Sequence, residues 1–160
     1  MRNKILKLLE QDASLDHHQI AVMLDMSVDE VEREIKQMTD EGVLLKSKAL
    51  INWEKTDREF VTAQIELRVT PQRGEGFDKV AERIYQYPEV KSVSLVSGGF
   101  DIAVTIEGKT MKEVALFVAE KLAPMDHVIS TKTHFILKKY KQDGVIFNDE
   151  GKDERRVITL

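Results

Sequence analysis

The stretch Val93-Ser94-Leu95-Val96-Ser97-Gly98-Gly99-Phe100-Asp101-Ile102-Ala103-Val104-Thr105-Ile106-Glu107 decides the fold. Two apolar-rich runs flank Ser97 to Asp101. Each is too short for an ordinary helix and rich in β-branched residues, so each reads as a strand. The centre reads as a tight turn, because adjacent glycines tolerate positive φ. A glycine turn also leaves backbone N–H and C=O groups open to a small ligand. Asp101 stands beside them, which suits a ligand carrying an amine. The same glycine pair is equally the ordinary sequence of a hairpin, and Asp101 equally a residue that caps the turn through local backbone.

Outward from this stretch the pattern is regular. Upstream, Val61, Ala63, Ile65, Leu67 and Val69 alternate with Thr62, Gln64, Glu66, Arg68 and Thr70, the rhythm of a half-buried strand that Pro71 and Gly74 break. Phe77, Val80, Ala81 and Ile84 make a helical stripe ended by Pro88. Downstream, Met111, Val114, Ala115, Val118 and Leu122 mark a second helix, closed by Pro124. Val128 to Tyr140 is again strand-like, with Ile129, Thr131, Thr133, Phe135 and Leu137 on one face. The order strand, helix, strand, strand, helix, strand predicts a ferredoxin-like βαββαβ domain, an antiparallel sheet with both helices on one face.

The N-terminal part is helical. Ile5, Leu6, Leu8 and Leu9 form a stripe on a first helix that Asp12 to Ser14 can end. A second runs from about Asp16 to Leu24, with Ile20, Met23 and Leu24 inward and His17-His18 on its polar face. After Asp25-Met26, Ser27 and Glu30 form a capping box that opens a third helix. Val31, Ile35 and Met38 give that helix one buried face, and Gly42 sits where a glycine cap belongs. Three short helices with a tight link before the third predict a helix-turn-helix.

Together these readings predict an α+β chain. A helix-turn-helix domain occupies 1–45 and a connector 46–60. The βαββαβ domain occupies 61–141, and a C-terminal hairpin or tail 142–160. Val43 to Asp57 carries enough apolar residues for a short strand, and Trp53 suits packing against a domain or a partner chain. The tail holds two apolar runs, Val145 to Phe147 and Val157 to Leu160, around a polar segment from Asn148 to Arg156 that contains Gly151. An added hairpin at the sheet edge or a mobile tail fits.

Composition excludes several classes. The hydrophobic share, 42%, is ordinary for a folded protein, and the charged share, 32%, is somewhat high. There is no cysteine, hence no disulfide framework, thiolate metal site or cysteine nucleophile. No apolar run approaches the roughly 20 residues of a membrane span, and charge interrupts the N-terminus too early for a secretory signal. A cytoplasmic protein without cofactor or membrane partner is expected. Formal net charge is −4, no global argument for nucleic-acid binding. No His/Asp/Glu set has metal-ligand spacing, no nucleotide or hydrolase motif occurs, and no carboxylate pair stands out as catalytic.

A helix-turn-helix, a connector and a βαββαβ domain together resemble the Lrp/AsnC, or leucine-responsive feast/famine, transcription regulators. Leu95-Val96-Ser97-Gly98-Gly99-Phe100-Asp101 is similar to that family's Val-Ser-Gly-x-x-Asp segment. The resemblance covers about Arg2 to Tyr140. It implies double-stranded DNA as partner and a small-molecule effector, an amino acid. It also implies a homodimer or a higher oligomer such as an octamer. The effector would lie between subunits. Gly98 and Gly99 would offer backbone groups, and Asp101 would meet the ammonium. Thr133, His134 and Ile136, in the segment Thr133 to Ile136, would form the other wall. Ser27, Arg33, Lys36 and Gln37 are the nearest candidates for groove contact, with Arg2, Lys4, Lys7, Lys46 and Lys48 placed for flanking phosphates.

The third helix departs from that pattern. Arg33 and Lys36 stand against Asp29, Glu30, Glu32, Glu34, Asp40 and Glu41. Acids near a helix N-terminus favour the macrodipole, which accounts for Asp29 and Glu30 alone. Duplex affinity depends heavily on phosphate neutralisation. An oligomeric small-molecule sensor with weak or lost DNA binding is therefore one alternative. A sirohaem-decarboxylase-like enzyme is another, although the basic groups around the pocket are His134 and Lys132, with no arginine cluster.

Overall fold

The computed structural model describes residues 1–70 and 76–147. The chain divides into two compact units, Met1–Ile51 and a second beginning at Asn52. Each has its own core.

The first unit contains α1 (Arg2–Gln11), α2 (His17–Leu24) and α3 (Val28–Asp40). Ile5, Ile20, Ala21, Val31 and Met38 are buried together, with Ile35 and Leu44 packed against them. Local chemistry sets the helix ends. Asp16 and Gln19 form a capping box on α2, and Ser27 and Glu30 form one on α3. Asp25 ends α2 in the left-handed region at φ 53°, and Met26 N–H reaches back to the Ala21 carbonyl. Gly42, at φ 71°, ends α3 in a Schellman motif. Its N–H bonds Thr39 C=O, and Val43 N–H bonds Met38 C=O. Met23 does not face inward: it is 59% exposed. The α2 stripe runs through Ile20, Ala21 and Leu24, and one step of about 100° turns Met23 off it.

The connector forms no strand. Its regular element is a 3₁₀ turn at Trp53–Lys55, capped by the Asn52 side chain on Glu54 N–H. The Trp53 ring lies under the Arg58 guanidinium, 4.4 Å from the ring centre.

The second unit is built from β1 (Val61–Val69), α4 (Asp78–Tyr85), β2 (Val90–Leu95), β3 (Ile102–Gly108), α5 (Met111–Phe117) and β4 (Val128–Phe135). The sheet order is β2-β3-β1-β4, antiparallel throughout. Ala63, Ile65, Leu67 and Val69 of β1 and Ile102, Val104 and Ile106 of β3 face Val80 and Ile84 of α4, Val114 of α5, and Val118 and Leu122 beyond it. Both helices therefore cover one face. A π turn at Val118–Leu122 extends α5. Gly108 permits the close approach of α5, because a Cβ there would stand 2.9 Å from Val114 Cγ2.

β4 is less regular than its sequence suggests. A bulge between Arg68 and Val69 puts Ile129 out of register, 67% exposed, while Leu137 lies beyond the strand. Thr131, Thr133 and Phe135 keep the expected face, opposite Leu67, Ile65 and Ala63. Beyond β4, β5 (Lys141–Gln142) and β6 (Val145–Ile146) form a separate two-stranded hairpin, not a fifth strand of the main sheet. Asp143 and Gly144, both at positive φ, make its turn. The expected break at Pro71 and Gly74, and the tail from Asn148 through Gly151 to Leu160, lie outside the described residues.

Candidate functional site

Six residues, 96–101, join β2 to β3. The link is longer than a two-residue glycine turn, and its shape does not come from left-handed glycines. Gly98 has φ 159°, close to extended backbone, and Gly99 is not at positive φ. Asp101 shapes the link instead. Its C=O accepts from Val96 N–H at 2.9 Å, and its N–H donates to Leu67 C=O at 2.9 Å. Its Oδ2 accepts from Val69 N–H at 2.8 Å. Asp101 thus closes its own loop through its C=O and clips it to the end of β1 through its N–H and carboxylate. The glycines contribute open space, since a Cβ built on either meets nothing within 4 Å.

The other expected wall is not beside this loop within one protomer. β4 is two strands from β3, about 10 Å across the sheet. Thr133 pairs with Ile65, on the helix-covered face and half-buried. His134 pairs with Gln64, exposed on the opposite face, because strand neighbours alternate. Ile136 N–H bonds Thr62 C=O, five residues along β1 from the Leu67 contact of Asp101, or roughly 17 Å. His134 Nε2 lies 3.3 Å from Glu66 Oε1, and Lys132 Nζ lies 4.0 Å from Glu66 Oε2. His134 therefore belongs to a cross-strand charged cluster on the open face. Among the described residues no group of three or more His, Asp or Glu side chains is placed to hold a metal ion.

In the first unit, tertiary contacts explain part of the α3 acidity. Arg2 of α1 lies 3.5 Å from Glu34 and 2.5 Å from Glu41. Lys36 pairs with Asp40 at 3.3 Å, and Gln37 Nε2 donates to Glu41 at 2.9 Å. The Ser27 hydroxyl accepts from Glu30 N–H and donates to the Glu30 carboxylate. Of the four groove candidates, Arg33 alone has no such partner among the described residues. Arg2 is paired with two acids of α3 through partly exposed contacts. Lys7, Lys46 and Lys48 instead share one groove of about 610 Å³ with Leu6, Leu9 and Leu44. Nothing local in the sequence marks the Arg2 bridge, which spans 39 positions.

Two of these acids carry a pH signature. The Ser27 backbone and side-chain hydrogen bonds hold the Glu30 pKa below its ordinary value. The hydrogen bond from Arg2 does the same for Glu41. A depressed carboxylate contributes stability above its unfolded pKa and loses it as pH falls through the folded one. Thermal melting by circular dichroism should therefore weaken below the ordinary glutamate range. Glu30→Gln preserves the capping geometry and should reduce the acid loss. An unchanged acid limb in that variant would refute a role for Glu30.

A helix-turn-helix unit followed by a βαββαβ unit defines a two-part helix-turn-helix protein. The Lrp/AsnC ligand binding domain model matches residues 62–146. The HTH-type transcriptional regulator YugG of Bacillus subtilis is 47% identical over 156 residues, covering 97% of this chain and 93% of that protein. The chain belongs to the Lrp/AsnC family of transcriptional regulators. Among solved structures, the regulator NMB0573 of Neisseria meningitidis, in complex with L-Met, superposes with a TM-score of 0.70 at 23% identity. That match covers 88% of this chain and 90% of that one. E. coli AsnC superposes at 0.66 and 13% identity, covering 88% and 93%. Among the described residues no helix is long and apolar enough to cross a membrane.

Proposed function

We propose that this regulator binds double-stranded DNA through α3 and responds to an amino acid held at the 96–101 loop, as a homodimer or higher oligomer. The observation that carries the sensing half is Asp101. It is anchored through both backbone groups and one carboxylate oxygen beside two glycines with open space above them. An ammonium could share that carboxylate in a charge-assisted hydrogen bond, and backbone groups of the glycines could meet the carboxylate end. The L-Met complex of NMB0573 supports the ligand class. Thr133, His134 and Ile136 would join such a site from a neighbouring subunit, because one protomer spreads them over two faces and along the sheet.

For DNA, the capped α3 presents Arg33 near the Glu30 charge but in no hydrogen bond or ion pair among the described residues, while Lys36 and Gln37 are tethered only by exposed contacts. Exposed ion pairs are worth about 0–1 kcal/mol, so a phosphate can take Lys36 from Asp40. Lys7, Lys46 and Lys48 add charge on the same unit. A mobility-shift titration at low salt, against the upstream region of the protein's own gene, tests the reading. A retarded band is expected, weakening steeply with salt and changing with at least one amino acid. No retardation with or without amino acids would overturn it.

A further inference from the structure

The far end of β3 carries a second cavity. It lies seven residues from Asp101 along the strand, about 24 Å away. Its volume is about 460 Å³, and its charged lining sets Arg58, Lys91 and Lys109 against Glu59, Glu89, Glu107 and Glu113. A niche of about 30 Å³ shares Glu89, Glu107, Gly108 and Glu113 with this cavity and is otherwise lined by Ile106, Val114 and Phe117. A space of that size holds one water-sized group, and an ammonium is such a group.

The charges in this cavity are not equivalent. Glu107 lies 4.0 Å from Arg58 and 3.9 Å from Lys91. Glu113 Oε2 accepts from Lys109 N–H at 2.5 Å. Glu89 differs: its Oε2 is buried with no hydrogen-bond partner. A buried acceptor left without a donor is costly, and this one lines the niche. The Lys109 side chain stands exposed, with no acidic partner among the described residues. Among the described residues the carboxylates do not converge as a metal site, and an organic ammonium has the size and the donors that the unpartnered Glu89 oxygen lacks.

We propose that this cavity is a second small-molecule site, separate from the 96–101 loop, for a zwitterion of the amino-acid class. Its ammonium enters the niche against Glu89, and its carboxylate lies toward Lys109. The mixed charge of the walls selects a molecule carrying both signs over a simple amine or a simple acid. This site stands on its own residues, so it holds or fails independently of the loop.

Isothermal titration of the full chain with each standard L-amino acid, and with butylamine and butyrate as single-charge probes, tests this. The loop site is first disabled by Asp101→Asn. At least one amino acid is expected still to bind that variant, more tightly than either single-charge probe. Adding Glu89→Gln, or separately Lys109→Ala, should weaken it about tenfold or more, the loss of a charge-assisted contact. If Glu89→Gln unfolds by circular dichroism, Lys109→Ala decides, because its side chain is exposed. The proposal is overturned if Asp101→Asn abolishes all amino-acid binding. It is equally overturned if residual binding ignores Lys109, or if butylamine binds as tightly. A failed mobility shift would leave these outcomes untouched.

Discussion

Asp101→Asn is expected to abolish ligand-induced stabilisation through the 96–101 loop while leaving the fold nearly as stable as the native chain. The amide retains a carbonyl oxygen that can accept from Val69 N–H, so the clip to β1 survives in weaker form. The charge is gone, and with it the partner for an ammonium. Asp101→Ala removes both. Hydrogen bonds to charged groups are worth about 1.5–3 kcal/mol, so this variant should lose stability of that order as well as ligand response. The measurement is thermal unfolding with and without amino acids. A ligand near 100 times its Kd adds about 2.7 kcal/mol to the native protein, large enough to see disappear. If Asp101→Asn keeps the full ligand shift at the loop, Asp101 is a structural clip only. Binding at the Glu89 cavity is recognised by its dependence on Lys109.

Ile20→Ala should unfold the first unit and spare the second. Ile20 is fully buried among Ile5, Val31 and Met38. Truncating a buried isoleucine to alanine costs about 2–5 kcal/mol. A unit of this size has roughly 3–8 kcal/mol in total at ordinary stability per residue, so the loss approaches the whole. The core around Ile65, Leu67, Ile84 and Leu122 shares no residue with it. Calorimetry should lose one transition while the amino-acid shift of the other persists, and DNA retardation should vanish. Equal loss of both transitions, or an unchanged retarded band, would sink this expectation.

The βαββαβ order was legible because each element carries its own period. The alternation in Val61–Val69 and the stripe through Val80 and Ile84 need no distant partner to be read, and the Ser27–Glu30 box is likewise local. The errors fall where a second segment intervenes. Alternation along β4 puts Ile129 on one face with Thr131, Thr133 and Phe135, whereas a bulge opposite Arg68 and Val69 takes it out of register. The glycine pair suggested a tight turn, whereas a carboxylate bonded to β1 fixes a longer one. The acidity of α3 looked unexplained until Arg2 was seen beside Glu34 and Glu41. The Glu89 cavity had no sequence signal. Its walls come from the start of the second unit, the α4–β2 turn, the end of β3 and the first turn of α5.

By itself the sequence determined the element types, their order, the capped α3 and the family to which the chain belongs. These depend on spacing over a few residues, where hydrophobic period and capping chemistry act directly. The tertiary structure decided which charges are committed and which remain open. Asp101 meets a backbone group 32 positions away, and Arg2 bonds an acid 39 positions away. Such encounters depend on the path of the whole chain, and no local pattern encodes them.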